Sequence, residues 1–105
     1  MSENIGDLTG LTMAYRAFKA KSAELPDEIV DGFDSEQRFF ISFATHWRAI
    51  YRDRLLTFIL TSDGHPPQKY RANGPLSNFA PFFDAFDVHD GDGMFLPADE
   101  RVSIW

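Results

Sequence analysis

Apolar residues return at helical spacing near the start of the chain: Leu8, Leu11, Tyr15 and Phe18, with Ala14 and Ala17 beside them. This period predicts a helix from about Asn4 to Ser22. Lys19 and Lys21 near its end suit the negative pole of the helix dipole. Leu25-Pro26-Asp27-Glu28 then breaks the pattern, and Asp31-Gly32-Phe33 reads as a turn. A second helix should begin at Asp34 or Ser35. With Asp34 as N-cap, Gln37 falls at the third helical position, a capping-box arrangement. Phe39, Phe40, Phe43, Trp47, Ile50 and Tyr51 follow as a broad apolar face, which predicts a central helix. A shorter third helix, from about Asp53 to Leu60, would bury Leu55, Leu56, Ile59 and Leu60.

Beyond it the pattern becomes irregular. Ser62-Asp63-Gly64-His65-Pro66-Pro67 is a loop by its chemistry, because Gly and two prolines do not continue a helix. Tyr70 to Ala72 reads as briefly extended, and Asn73-Gly74-Pro75 as a turn. Ser77 or Asn78 is placed to cap a last helix carrying Phe79, Phe82, Phe83 and Phe86. From Asp87 to Glu100 the chain is polar and glycine-bearing, broken by Met94-Phe95-Leu96, and it ends in Val102-Ser103-Ile104-Trp105. There are no repeats. The expected fold is mainly α with irregular connections, in a single domain over residues 1–105.

Composition sharpens this picture at a few points. The 105 residues suit one domain with a modest core, and 44% apolar with 25% charged residues is a globular balance. Phe occurs 11 times, beside two Trp and three Tyr. Either the core is unusually aromatic, or part of this surface packs against another segment. A net charge of −6 without a basic stripe argues against nucleic acid as a partner. With no cysteine there is neither a disulfide framework nor a thiolate zinc site. No apolar run approaches the roughly 18–20 residues of a membrane span, and no signal peptide is visible.

Few residues stand out for chemistry. Glu3 and Asp7 lie four apart, so a helix would put both carboxylates on one face. Their repulsion calls for a cation, a metal or solvent, although acids at a helix start also suit the dipole. No two of the three histidines, His46, His65 and His89, have the spacing of H-E-x-x-H. His46, beside Trp47, reads as a packing residue and His89 as solvated. Asp90 and Asp92 loosely suggest a calcium loop, without the closing Glu of an EF-hand. His65 sits in a stiff loop six residues before Arg71, a pair that could orient a carbonyl or an oxyanion. There is no phosphate loop and no G-x-S-x-G elbow.

The order of several short motifs adds what chemistry alone does not. Glu3-Asn4-Ile5-Gly6-Asp7 is followed by Gly10-Leu11, Ala14-Tyr15-Arg16-Ala17, Gln37-Arg38-Phe39-Phe40, Phe43-Ala44 and Trp47-Arg48. Then come His65-Pro66-Pro67, Tyr70-Arg71, Asn73-Gly74-Pro75-Leu76-Ser77-Asn78 and the terminal Arg101-Val102-Ser103-Ile104-Trp105. Nearly the whole chain thus resembles the C-terminal end of neprilysin-like zinc endopeptidases, the bacterial ones in particular.

This resemblance implies the helical C-terminal part of a zincin-type catalytic domain that cleaves peptides with a zinc-activated water. Glu3 matches the glutamate that binds zinc with the two histidines of H-E-x-x-H. Asp7 matches the aspartate that orients a zinc-bound histidine, an acceptor role such ligands require. His65 matches the histidine that steadies the oxyanion, and Arg71 the arginine that holds a substrate carbonyl. Ser2 replaces the family's usual glycine, and His65-Pro66-Pro67 its usual His-Ser-Pro, which stiffens the loop. The H-E-x-x-H helix and its general-base glutamate are not in this sequence. One carboxylate does not make a catalytic zinc site, so the chain alone is expected to hold no zinc and cleave nothing. An exposed apolar face where other helices pack would favour a homo-oligomer. The full-length family member is expected outside the cytoplasm, extracellular or periplasmic. The competing reading is a standalone, non-catalytic binding or regulatory module derived from the same fold.

Overall fold

The computed structural model describes residues 2–62 and 64–104; for Ser2 it describes the backbone alone. Met1, Trp105 of the terminal motif and Asp63 of the proline loop lie outside the described residues. Five helices follow one another: α1 (Ser2–Ser22), α2 (Ser35–His46), α3 (Asp53–Ser62), α4 (Gln68–Ser77) and α5 (Ala80–Phe86). Among the described residues there is no strand, only an isolated bridge between Val30 and Phe33. The fold is mainly α, as its period predicts.

α1 packs chiefly against α4, and α2 sits between α1, α4 and α5. Leu8 and Leu11 of α1 are buried, and Leu11 meets Phe40 of α2 and Leu76 of α4 at the centre of the core. Around this trio the Phe-rich pattern becomes a ring cluster. Tyr15 stacks on Phe40 with centroids 5.6 Å apart and meets Phe79 edge-on at 5.3 Å, and Phe82 meets Phe40 edge-on at 5.7 Å. Offset and edge-to-face geometries are those aromatic quadrupoles favour. The N-terminus of α2 is built as the sequence indicates. Asp34 accepts from the Gln37 backbone N–H at 2.8 Å, and the Gln37 side chain accepts from the Asp34 N–H at 3.1 Å.

Four expectations are overturned. α2 stops at His46, and Ile50, placed on its apolar face by sequence, is 98% exposed. The Trp47 N–H bonds back to Ala44 and Thr45, and the chain leaves the helix there. α3 forms but buries no residue: Leu55 and Leu60 are exposed and Leu56 and Ile59 only half-buried, because α3 packs on none of the other helices. The stretch read as extended segment and turn is a continuous helix, α4, with Pro75 inside it. Pro75 leaves one carbonyl without its helical donor, yet burial of Ala72, Pro75 and Leu76 outweighs that local loss. Asn78 does not cap α5. Phe79 is its N-cap, while the Asn78 side chain donates to the Gly74 carbonyl and accepts from the Val102 N–H, both at 2.7 Å.

The molecule is open for its length. Its radius of gyration is 15.2 Å, against about 13 Å for a compact chain of this size. Its accessible surface is 7468 Å², about 1,500 Å² more than the roughly 6,000 Å² of a compact monomer of this mass. The excess includes exposed Met13 and Phe58, at 55% and 63%. No described helix is long and apolar enough to cross a membrane.

At the far end of α1, Tyr15 donates its hydroxyl to Glu36 at 3.1 Å, and Lys19 pairs with the same carboxylate. Burial, then the bond to Glu36 and the charges of Glu36 and Asp84, push the Tyr15 hydroxyl up from 10.0 to about 12. A folded value above the unfolded one means the native state holds this proton more tightly. The stabilisation is therefore complete below pH 10 and is lost as pH rises toward 12, by about 2 kcal/mol. Urea unfolding at pH 9 and pH 12 should show this loss relative to Tyr15→Phe, in which this contribution is absent.

Candidate functional site

The two carboxylates of α1 and the arginine of α4 meet where these helices cross. Glu3 and Asp7 are one turn apart near the N-terminus of α1, where the helix dipole favours negative charge. Arg71 lies one turn into α4. Its Nε and Nη2 donate to the two oxygens of Asp7, each at 2.8 Å, and Nη2 also donates to Glu3 Oε2 at 3.2 Å. The fork-shaped pairing with Asp7 is the geometry guanidinium and carboxylate prefer. The cation that the carboxylate spacing calls for is thus supplied within the chain. The hydrogen bonds it donates to Asp7, against a smaller opposing effect of burial, hold the Arg71 guanidinium still more firmly protonated than usual.

His65 stands just before the start of α4, with Pro66 and the buried Pro67 between it and the helix. Its Nε2 is 3.8 Å from Glu3 Oε1. All four residues singled out by sequence, Glu3, Asp7, His65 and Arg71, therefore gather on one side of the molecule. They differ in access. The Asp7 side chain is 10% exposed and that of Arg71 20%, whereas Glu3 and His65 are 38% and 64% exposed. Asp7 acts as a buried anchor. Glu3 and His65 present themselves to whatever lies outside.

Two neighbours escaped the sequence reading. The Trp47 ring lies over the Arg71 guanidinium, 4.2 Å from its centre, a contact across 24 residues of chain that no local pattern announces. Asn4, within the Glu3-to-Asp7 motif, packs its amide beside Gly74 of α4 and keeps a buried Oδ1 without a hydrogen-bond partner. His46 and His89 stay apart from the site. His46 meets Trp47 edge-on, and exposed His89 leans on the Asp87 carbonyl, which with the Asp92 charge raises its affinity for a proton.

The residues present fit part of a metal site. Among the described residues no three His, Cys, Asp or Glu side chains group closely enough to hold an ion. Glu3 is the accessible carboxylate. Both Asp7 oxygens already accept from Arg71, yet a carboxylate oxygen has a further lone pair to offer an imidazole N–H.

Known proteins share this sequence and fold. The model of peptidase family M13 matches residues 1–102. The human membrane metallo-endopeptidase-like 1 is 37% identical over 108 residues, covering 100% of this chain and 14% of that protein. A neutral endopeptidase of Lactococcus lactis subsp. cremoris is 35% identical over 106 residues, covering 100% of this chain and 15% of that one. Among solved structures, the zinc metalloprotease Zmp1 of Mycobacterium tuberculosis in its open state superposes with a TM-score of 0.89 at 38% identity, over 97% of this chain and 16% of Zmp1. The chain thus spans about one seventh of the length of these relatives. With a family model covering nearly every residue and a matching fold, the chain belongs to peptidase family M13, the family of the neprilysin-like metallopeptidases.

Proposed function

We propose that this chain is the C-terminal portion of a zinc metalloendopeptidase catalytic domain. Glu3 would be one of three protein ligands of the metal, the other two lying outside these residues. The observation that carries the reading is the convergence of Glu3, His65 and the Asp7–Arg71 pair on one side. The surplus surface of about 1,500 Å² supports it, since a further part of the same domain would cover such a surface.

In the complete enzyme, zinc held by Glu3 and two further ligands would supply a Lewis acid and lower the pKa of a bound water. The residues of this chain work around that step. Glu3 offers its exposed carboxylate to the metal. Asp7 fixes Arg71 through one edge and accepts from a liganding imidazole, which sets that ring's tautomer. His65, on its proline-stiffened loop, donates to the carbonyl oxygen as negative charge develops there, a contribution of roughly 3 kcal/mol for such donors. Arg71 holds a backbone carbonyl of the peptide beyond the cleaved bond. The full-length protein would act on peptides outside the cytoplasm.

The chain by itself supplies one metal-ligating carboxylate where catalysis needs three ligands and a base. Purified alone, it should hold no stoichiometric zinc and show no peptidase activity, and its uncovered apolar surface should favour self-association. Metal analysis after dialysis checks this, and one tightly held equivalent of zinc would count against it. The surplus surface also suits a standalone binding module that works through interfaces. An in-frame H-E-x-x-H upstream of Met1 decides for the peptidase, and a stop codon there for the module.

A further inference from the structure

We infer that Trp47 is a positioning residue that sets the plane of the Arg71 guanidinium for substrate binding. The inference rests on the proposed role of Arg71 in holding a peptide carbonyl.

A guanidinium recognises a carbonyl through its edge, so the direction in which that edge points decides the strength of the contact. The geometry around Arg71 leaves one direction open. Nε and Nη2 are taken by Asp7, and Nη2 is shared with Glu3. Among the described residues Nη1 has no hydrogen-bond acceptor, so its N–H groups are those left for a ligand. The carboxylate grips a single edge, about which the planar group can still tilt. The Trp47 ring, 4.2 Å from the guanidinium centre, closes one face and limits that tilt. Its placement is secure, since Trp47 is the C-cap of α2, its backbone N–H bonded to Ala44 and Thr45.

A second observation bears on why the residue is an indole. The Trp47 Nε1–H is buried without a hydrogen-bond partner, a cost that leucine or phenylalanine in the same space would avoid. What the indole returns is the most strongly cation-binding face of the aromatic side chains, turned toward Arg71. As a filler alone it would be a poor choice.

The test is steady-state kinetics on a short peptide with the complete peptidase, using Trp47→Leu, Trp47→Phe, Arg71→Ala and the Trp47→Leu/Arg71→Ala double variant. Trp47→Leu should raise KM roughly three- to tenfold, the range for a partly desolvated cation–π contact, and change kcat less than about twofold. Trp47→Phe, which keeps a π-face and removes the orphaned N–H, should recover most of the loss. On the Arg71→Ala background, Trp47→Leu should add nothing. Fully additive effects would overturn the inference while leaving Arg71 its role, because Trp47 would then act on substrate or fold directly. Loss of folding in both Trp47 variants would likewise overturn it. If Arg71→Ala itself left KM unchanged, the substrate-binding reading of Arg71 would fail.

Discussion

Glu3→Gln in the complete peptidase should lose zinc and activity together. The amide has the size and shape of the carboxylate but no negative charge, and an amide oxygen is a far weaker partner for a divalent cation. Losing a residue that merely supports a metal ligand typically costs 10–100-fold in affinity or activity. Losing a ligand should therefore cost more than about 100-fold. The fold has little reason to respond. The Glu3 side chain is 38% exposed, and the amide oxygen can still accept from Arg71, now 3.2 Å from Oε2. Structural loss and metal loss are thus separable in one variant. Zinc content by elemental analysis, activity on a peptide and the circular dichroism spectrum should show the first two gone and the third unchanged. Normal zinc content in Glu3→Gln would sink the ligand assignment.

The largest effect on stability is expected from Phe40→Ala. Phe40 is 1% exposed and touches the rings of Tyr15, Phe39, Phe79 and Phe82. Truncating a buried phenylalanine typically costs 3–5 kcal/mol through lost transfer energy and the cavity left behind. Small domains are stable by only about 5–15 kcal/mol, and among its described residues this one buries only Leu8, Leu11, Phe40, Ala72, Leu76 and Phe83 beside Pro67 and Pro75. Phe40→Ala should therefore remove most of its cooperative unfolding transition in urea. Ile50→Ala is the contrasting case: at 98% exposure it should change stability by less than about 0.5 kcal/mol. A cooperative transition of undiminished midpoint in Phe40→Ala would contradict the core described here.

Helical period puts Phe40 and Ile50 on one apolar face, yet they lie at opposite extremes of exposure. Helical period is a local property, and it says where an apolar stripe would point if the helix continued. It does not say that the helix continues, nor that a partner waits opposite the stripe. α3 illustrates the second point: its apolar pattern is real, yet none of the other described helices packs on it. α4 illustrates a different limit. Gly74 and Pro75 are strong local breakers, but their helix is held by burial against α1, an energy that spacing cannot report.

What the amino-acid order determined by itself was whatever depends on neighbours in the chain. The length of α1, the capping box of α2, the stiff loop at His65 and the shared face of Glu3 and Asp7 all follow from interactions within a few residues. The order of motifs added the family, which the comparisons bear out. Only the tertiary structure decided that Arg71 lies between the two carboxylates, that Trp47 covers its face, and that α4 is a helix at all. These depend on how α1, α2 and α4 cross. That crossing is fixed by the joint burial of Leu11, Phe40 and Leu76, three residues far apart in sequence whose meeting no local pattern encodes.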